Sequence, residues 1–313
     1  MKRRTFLQLS SAASVPLFIN GIPVAGVARN SFLDFVSPEN DRILVLIQLT
    51  GGNDGLNMVL PLDQYSNLDK VRNKILIKES LGLKLRDDLA LHPSMTGLKS
   101  LFDDAKLQVV QSVGYPNQNR SHFRSTDIWT PGSTAAVMAT TAWLRRFYYE
   151  NHNSYPAGYP NSDYPDPLAI TIGSLVSQTC QGPVANFSLA INDPATLAEI
   201  PEPQFASNAP LTNYGFELKY LINTFKQTND YTEVIKTAFN SAGGSIATTG
   251  NRLLDQLNIV AQLIKGGMKT KVYVVNIGSF DTHSAQCDPD DHEIGTHADL
   301  LKQLSDAIKG FQA

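Results

Sequence analysis

An almost unbroken apolar run, Ile43-Leu44-Val45-Leu46-Ile47-Gln48-Leu49, constrains the fold of this chain more than any other segment. A strand that is apolar on both faces is typical of a parallel sheet covered by helices on both sides. We therefore predict a central strand here. Two more apolar runs, Leu107 to Val113 and Leu168 to Ile172, are also predicted strands. Because helical segments separate the first two runs, the order predicts βαβ units and an α/β fold.

Apolar residues at helical spacing predict the positions of several helices. They are expected at Gln64 to Ile75, from His92-Pro93-Ser94 through Phe102, from Asn251 to Gly266, and from the end of a strand at Lys271 to Ile277 towards Ala313. Pro93 is expected in a first turn, where its missing N–H costs nothing. Residues 181–250 are polar and lack strand periodicity, so we interpret them as an insertion or cap.

The N-terminus joins a pair of arginines, Arg3 and Arg4, to an apolar stretch that reaches Ile19. This pattern is typical of a twin-arginine signal, by which the Tat machinery exports proteins already folded. The alternative is a basic N-terminus that arose by chance. We predict a signal peptide at residues 1–28, a mature chain that begins near Arg29, and a periplasmic or extracellular location. No other segment approaches 18 consecutive apolar residues, so no membrane span is expected.

Charge and length narrow the class of protein. Removal of the signal takes away three positive charges and moves the formal charge from −3 to −6, which argues against a nucleic-acid partner. The remaining residues, 29–313, are enough for one large domain. Cys180 and Cys287 are the two cysteines of the chain, and a disulfide between them is left open.

The first predicted strand leads into Gly51-Gly52-Asn53-Asp54-Gly55. Ligands of open α/β sheets bind at the carboxyl ends of strands. Two glycines allow a sharp turn there, and the Asp54 carboxylate is a ligand type that divalent cations prefer. The competing interpretation is an ordinary Asn-Asp-Gly turn.

A second polar segment, Arg120-Ser121-His122-Phe123, is expected to begin a helix that runs through Trp129. A serine at a helix N-terminus lies beside free backbone N–H groups and suits an anion such as phosphate or sulfate. By itself, this position favours the simpler interpretation of Ser121 as an ordinary N-cap. His122 is a candidate ligand, proton-transfer group or packed residue.

Asp281 and His283 follow the predicted strand that ends at Ile277. Residues two positions apart on a strand project to the same side, so we expect the two side chains to lie together. A carboxylate and an imidazole suit Zn or Mn. His297 lies on an apolar helix face and is expected to be structural. Nucleotide-type Gly-rich loops and a Gly-x-Ser-x-Gly nucleophile elbow are both missing from the sequence.

The N-terminal signal and four segments together resemble domain-of-unknown-function family 1501, a group of exported bacterial proteins related to the sulfatase and alkaline phosphatase superfamily. The segments are Leu49 to Gly55, Leu91-His92-Pro93, Arg120 to Phe123 and Gly278 to His283. The resemblance extends from Arg42 to Ala313. It implies a three-layer α/β sandwich with a mostly parallel central sheet.

The resemblance also implies a function, the metal-dependent hydrolysis of a small anionic phosphate or sulfate ester. By this likeness Asp54, Asp281 and His283 are metal ligands for Zn, Mn or Ca, and Ser121 is the nucleophile. Arg120 or the backbone at Ser121 helps to hold the anion. The alternative is a non-catalytic cell-envelope protein that keeps the fold to bind a ligand or partner.

The chain departs from the family pattern at its C-terminus. After the last helix, relatives carry a Ser-Glu-Phe-Gly-Arg stretch and an Asp-His-Gly element that supplies further ligands. This sequence ends at Ala313, before both. We therefore expect a C-terminally truncated, incomplete fold with reduced or absent activity. Asp281 and His283 are also closer together in sequence than the equivalent ligands of many phosphatases.

Overall fold

The computed structural model describes residues 42–137, 139, 141–182, 186–200 and 209–313, together with the backbone of residues 17–19 and 22–24. The chain divides into two compact units, Met1–Leu44 and Val45–Ala313. In the first unit, two short antiparallel strands are described. The remainder of the expected export signal lies outside the described residues.

The second unit contains both strands and helices. The described strands of the chain are β1 (Leu17–Ile19), β2 (Ile22–Val24), β3 (Leu44–Leu49), β4 (Val59–Pro61), β5 (Leu83–Arg86), β6 (Leu89–Leu91), β7 (Ala169–Ile172), β8 (Ser188–Ile191) and β9 (Val272–Ile277). The described helices are α1 (Gly55–Met58), α2 (Tyr65–Arg72), α3 (Thr96–Asp103), α4 (His122–Trp129), α5 (Trp143–Asn151), α6 (Asn213–Ser241), α7 (Arg252–Lys265) and α8 (Thr296–Phe311).

The main sheet has four strands in the order β3-β9-β7-β8 and is mostly parallel. β7 pairs in parallel with β8 on one side and with β9 on the other. A second, antiparallel sheet has the order β4-β6-β5 and packs Leu60, Ile77 and Ala90 into a small core. The α/β class predicted from the sequence is therefore confirmed.

The position of β3 in the sheet differs from the prediction. β3 forms where the apolar run predicted a strand, but it lies at the edge of the sheet and is half-buried. The centre is formed by β7 and β9, which are almost completely buried. An apolar run indicates that side chains are covered, but the neighbours of a strand depend on pairing with distant segments.

One predicted strand is wrong. Residues 107–113 form no strand, and the side chains of Val110 and Val113 are 72% and 80% exposed. An apolar run becomes a strand only where a partner accepts its backbone hydrogen bonds. The strand predicted at Leu168 to Ile172 is confirmed as β7. Residues 181–250 contribute β8 to the main sheet and contain α6, the longest described helix.

The predicted helices are largely confirmed. α7 buries one apolar stripe of Leu253, Leu257, Val260 and Leu263, and it packs against β9 and α8. α3 begins at Thr96 rather than at Pro93, because the segment after β6 first makes a turn in which the N–H of Met95 donates to the carbonyl of His92.

Two further findings concern the class of protein. Cys180 is buried, Cys287 is half-buried, and both are free thiols. Within the described part of the chain, no helix is long and apolar enough to cross a membrane.

Candidate functional site

The loops after β3 and β9 meet at the carboxyl ends of these strands. The N–H of Thr50 donates to the carbonyl of Ile277 at 2.9 Å, and the N–H of Phe280 donates to the carbonyl of Thr50 at 3.2 Å. These bonds hold the Gly51-Gly52 turn directly against the segment that contains Asp281. Polar residues from distant parts of the sequence are thus brought to one edge of the sheet.

Glycine is required at the first position of this turn and gives room to His122 at the second. Gly51 has a φ of +111°, and a Cβ atom there would lie 2.6 Å from the backbone N of Asp281. A Cβ atom on Gly52 would collide with the imidazole of His122. Gly55 has no such neighbour within 4 Å. The two glycines therefore let the β3 loop, the β9 loop and the start of α4 approach one another.

Two imidazoles converge on the carboxylate of Asp281. Nε2 of His122 and Nε2 of His283 each lie 3.0 Å from Oδ1 of Asp281. The side chains of His122, Asp281 and His283 are 44%, 45% and 78% exposed, so they can change rotamer at little cost in packing. We call these three residues the His-Asp-His cluster.

The His-Asp-His cluster keeps Asp281 ionised. Desolvation raises the pKa of this carboxyl, but the hydrogen bond from His122, the charge of His283 and the remaining contacts with both imidazoles outweigh it. The pKa of Asp281 is therefore lowered from its usual value. An ionised carboxylate accepts hydrogen bonds from both Nε2–H groups and is also the form that coordinates a cation.

Asp281 and His283 lie together for a reason other than the one predicted. β9 ends at Ile277, so neither residue belongs to the strand. Ser279 and His283 have φ values of +73° and +47°, which turn the chain back after the strand. Their proximity comes from this turn and not from the alternation of side chains along a strand.

Asp54 has a structural environment of its own. It caps α1 by accepting hydrogen bonds from the N–H groups of Leu56 at 3.2 Å and Asn57 at 3.3 Å. Its other oxygen forms an ion pair with Arg72 and accepts a 2.6 Å hydrogen bond from Nε2 of Gln286. Among the described residues, these groups occupy the Asp54 carboxylate, and Asp281 is not one of its partners.

A buried pair of histidines lies beneath the β3 loop. His92 and His297 are 1% and 3% exposed, and their ring centroids are 6.1 Å apart. Nε2 of His297 donates to Oδ1 of Asn53 at 2.9 Å. His297 is thus a hydrogen-bonded structural residue, as its place on an apolar helix face indicated.

Both buried histidines are neutral. Burial and the neighbouring His297 lower the pKa of His92 to about 4, against a smaller opposing effect of Asp54. Burial also lowers the pKa of His297. The N–H of Ser94 donates to Nδ1 of His92 at 3.1 Å, which requires an unprotonated Nδ1.

Ser121 and Arg120 lie at the exposed start of α4. The Ser121 hydroxyl is the N-cap and accepts a long hydrogen bond of 3.4 Å from the N–H of Arg124. Arg120 is exposed and has no hydrogen bond or ion pair to another described residue. The predicted serine is therefore next to His122 in sequence, and it makes no hydrogen bond to the described residues of the His-Asp-His cluster.

The six residues expected at the site divide into two groups. His122, Asp281 and His283 are in contact, with Ser121 and Arg120 adjacent, whereas Asp54 has separate partners. Sequence reasoning missed Arg72 and Gln286, because nothing in the local sequence of either residue indicates a partner so far along the chain. The adjacent glycines Gly51 and Gly52 were the sequence feature that could have indicated a close approach of other segments to the β3 loop.

Comparison with known proteins adds no family. No family model matches the chain, and neither the curated proteins nor the solved structures contain a match. In the described parts of the chain, no group of three or more His, Cys, Asp and Glu side chains is arranged to hold a metal ion.

Proposed function

We propose that this protein is an exported, metal-dependent hydrolase of phosphate or sulfate esters, with the His-Asp-His cluster at its centre. The observation that supports this proposal is the convergence of His122 and His283 on an ionised Asp281 at the carboxyl ends of β3 and β9. Sites of open α/β sheets lie at this edge. The proposal includes the three-layer, sulfatase-like arrangement that the sequence resemblance implies.

The donor atoms of the cluster suit a divalent cation. Two imidazole nitrogens and a carboxylate oxygen are a ligand set that Zn or Mn favours, while Ca favours oxygen ligands alone. In the structure, both imidazoles form hydrogen bonds to the same oxygen of Asp281. The imidazoles must therefore move before their nitrogens can coordinate a cation. Their exposure permits this movement. We assign the site to His122, Asp281 and His283, without Asp54.

The residues of the chain then have separate roles. When bound, a divalent cation would polarise the ester and stabilise negative charge that develops on its oxygens. The Ser121 hydroxyl is the nucleophile, and its weak capping bond leaves it able to turn towards a ligand. Arg120 holds the anionic group of the ester, because a guanidinium matches its oxygens. His122, as a ligand of the cation, would hold the start of α4 beside Asp281, and the proton of Ser121 would pass to water, because a nearby cation favours the ionised hydroxyl.

The proposed location is the periplasm or the exterior of the cell, and the Tat machinery is the partner during export. This part of the proposal depends on Arg3 and Arg4 in the sequence. A Tat substrate folds before it crosses the membrane, so a cation can be acquired in the cytoplasm.

A second candidate function is a non-catalytic binding protein of the cell envelope. The observation that favours it is the environment of Asp54, which caps α1 and pairs with Arg72. A carboxylate committed to these contacts stabilises the loop and contributes no ligand. Under this function, the His-Asp-His cluster binds a ligand without turnover.

The two functions are separated by metal content and turnover. We expect about one Zn or Mn ion per chain, measured by plasma mass spectrometry on protein purified without chelators, and hydrolysis of 4-nitrophenyl phosphate or sulfate. Asp281→Asn should weaken metal affinity more than about tenfold, because it removes the charged ligand. Asp290→Asn, an exposed carboxylate in a loop, is the matched control and should bind metal as the wild type does.

Ser121→Ala tests the nucleophile. We expect it to abolish turnover while the metal content is unchanged and the stability falls by only about 1 kcal/mol, the usual cost of a lost cap. Wild-type protein that is folded, binds no divalent cation and hydrolyses neither ester would overturn the hydrolase. Metal binding without turnover would favour the second function.

A further inference from the structure

A groove leads away from the His-Asp-His cluster along α4. It has a volume of about 740 Å³ and is bounded by the edge strand β3, the segment at Val113, the length of α4 and the start of α5. His122 and Gly51 belong both to the groove and to the site described above. A ligand bound at the cluster therefore has direct access to this space.

The lining of the groove is strongly apolar in one part. Ile47 and Leu49 of β3, Val113, Trp129 and Trp143 supply large apolar surfaces, next to smaller polar groups. Val113 is 80% exposed and Trp129 is 43% exposed. A groove of this size with an aromatic wall is typical of a small-molecule site, and a filled groove would cover side chains that water now contacts.

The groove and the cluster have complementary chemistry. His122, beside Asp281 and His283, supplies a hydrogen-bonding group at one end of the groove, and Trp129 of α4 and Trp143 of α5 supply an apolar surface. His122 and Trp129 are seven residues apart on α4, which corresponds to roughly 10 Å. That length accommodates a phenyl ring or a chain of several methylene groups.

We propose that the ester received at this site carries an aromatic or long apolar group, which binds in the groove between β3 and α4. This inference rests on the proposed function, because the cluster is taken to hold the anionic group. Burial of the apolar group against Trp129 and Trp143 supplies affinity, and the cluster fixes the orientation. Esters that lack such a group bind the cluster alone.

The tryptophans allow a test of binding that needs no turnover. Trp129 and Trp143 are the two tryptophans of the whole chain, and both line the groove. Intrinsic fluorescence therefore reports on the groove. We expect octyl phosphate to change the emission and to bind at least about tenfold more tightly than methyl phosphate, since only its chain reaches the apolar surface.

Substitutions show which residues cause the preference for octyl over methyl phosphate. Trp129→Ala should remove most of the preference for octyl over methyl phosphate, and Trp129→Phe should keep most of it. Phe123→Ala is the matched control, because Phe123 is an aromatic residue of the same helix that is 87% exposed and lies outside the groove. The Phe123→Ala variant should prefer octyl over methyl phosphate as strongly as the wild type does. Equal affinity of the wild type for both esters, or an unchanged preference in Trp129→Ala, overturns the inference.

Turnover distinguishes this inference from the proposed function. Tight, Trp129-dependent binding of octyl phosphate without hydrolysis of any ester supports the groove and overturns the hydrolase. Hydrolysis with the same kcat/KM for octyl and methyl phosphate supports the proposed hydrolase activity and overturns the proposal that the groove binds the apolar group of the ester.

Discussion

At the scale of single residues, the neutral state of His92 makes the folded protein sensitive to acid. The pKa of His92 is about 4 in the folded chain and about 6.5 in an unfolded chain. Between these values the unfolded state binds a proton that the folded state excludes, so the free energy of unfolding falls as the pH falls. Protonation also breaks the bond from the N–H of Ser94.

His92→Asn tests this pH dependence, because an asparagine oxygen can still accept from Ser94 and does not titrate. Wild-type protein should lose stability from pH 6.5 towards pH 4, with His92 contributing roughly 3 kcal/mol at the acid end. The free energy of unfolding, measured by urea unfolding at pH 7.5, 6.5, 5.5 and 4.5, should change less with pH in the variant than in the wild type. If the free energy of unfolding changed with pH equally in the two proteins, the pH dependence could not be assigned to His92.

At the scale of elements, α3 receives its N-terminal cap from another helix. The N-cap residue Met95 supplies no side-chain acceptor, and the N–H of Leu98 donates instead to Oγ of Ser305 in α8 at 2.9 Å. Ser305 is 0% exposed. A Cβ atom on Gly97 would lie 2.7 Å from the carbonyl oxygen of Ser305, so the two helices touch at a glycine. The cap of α3 is therefore also a tertiary contact.

Ser305→Ala should destabilise the protein by about 1–3 kcal/mol, because it leaves a buried N–H without an acceptor. Ser66→Ala, at an exposed position of α2, is the matched control and should change the stability by less than about 0.5 kcal/mol. Urea unfolding measures both values. A loss in Ser305→Ala no larger than that of the control would show that water replaces the bond.

At the scale of the whole molecule, we predict that the proposed export depends on the two arginines and not on positive charge alone. Replacement of Arg3 and Arg4 by lysine conserves the charge but removes the feature that the Tat machinery recognises. We expect this double variant to stay in the cytoplasm of a Tat-competent host, as measured by fractionation and immunoblotting. Lys2→Gln keeps both arginines and should be exported. Equal periplasmic amounts of the two variants would exclude a Tat signal.

The sequence by itself determined the α/β class and most individual elements. The periodicity of α7, the apolar runs at β3, β7 and β9, and the glycines at the end of β3 are local properties that short segments express directly. The sequence also predicted that Asp281 and His283 lie together, but for the wrong reason, because their contact comes from the turn after β9 and not from alternation along a strand. Propensity and burial patterns are sufficient to predict individual helices, strands and turns, because each of these elements depends on residues that are close in sequence.

Only the tertiary structure decided which residues share a site and which strands have partners. It made β3 an edge strand, left residues 107–113 outside the sheet, and paired Asp54 with Arg72 instead of with Asp281. It also placed His122 against Asp281, 159 positions away in the chain. Contacts of this kind depend on how loops from distant strands close on one another, and no local pattern in the sequence encodes that geometry.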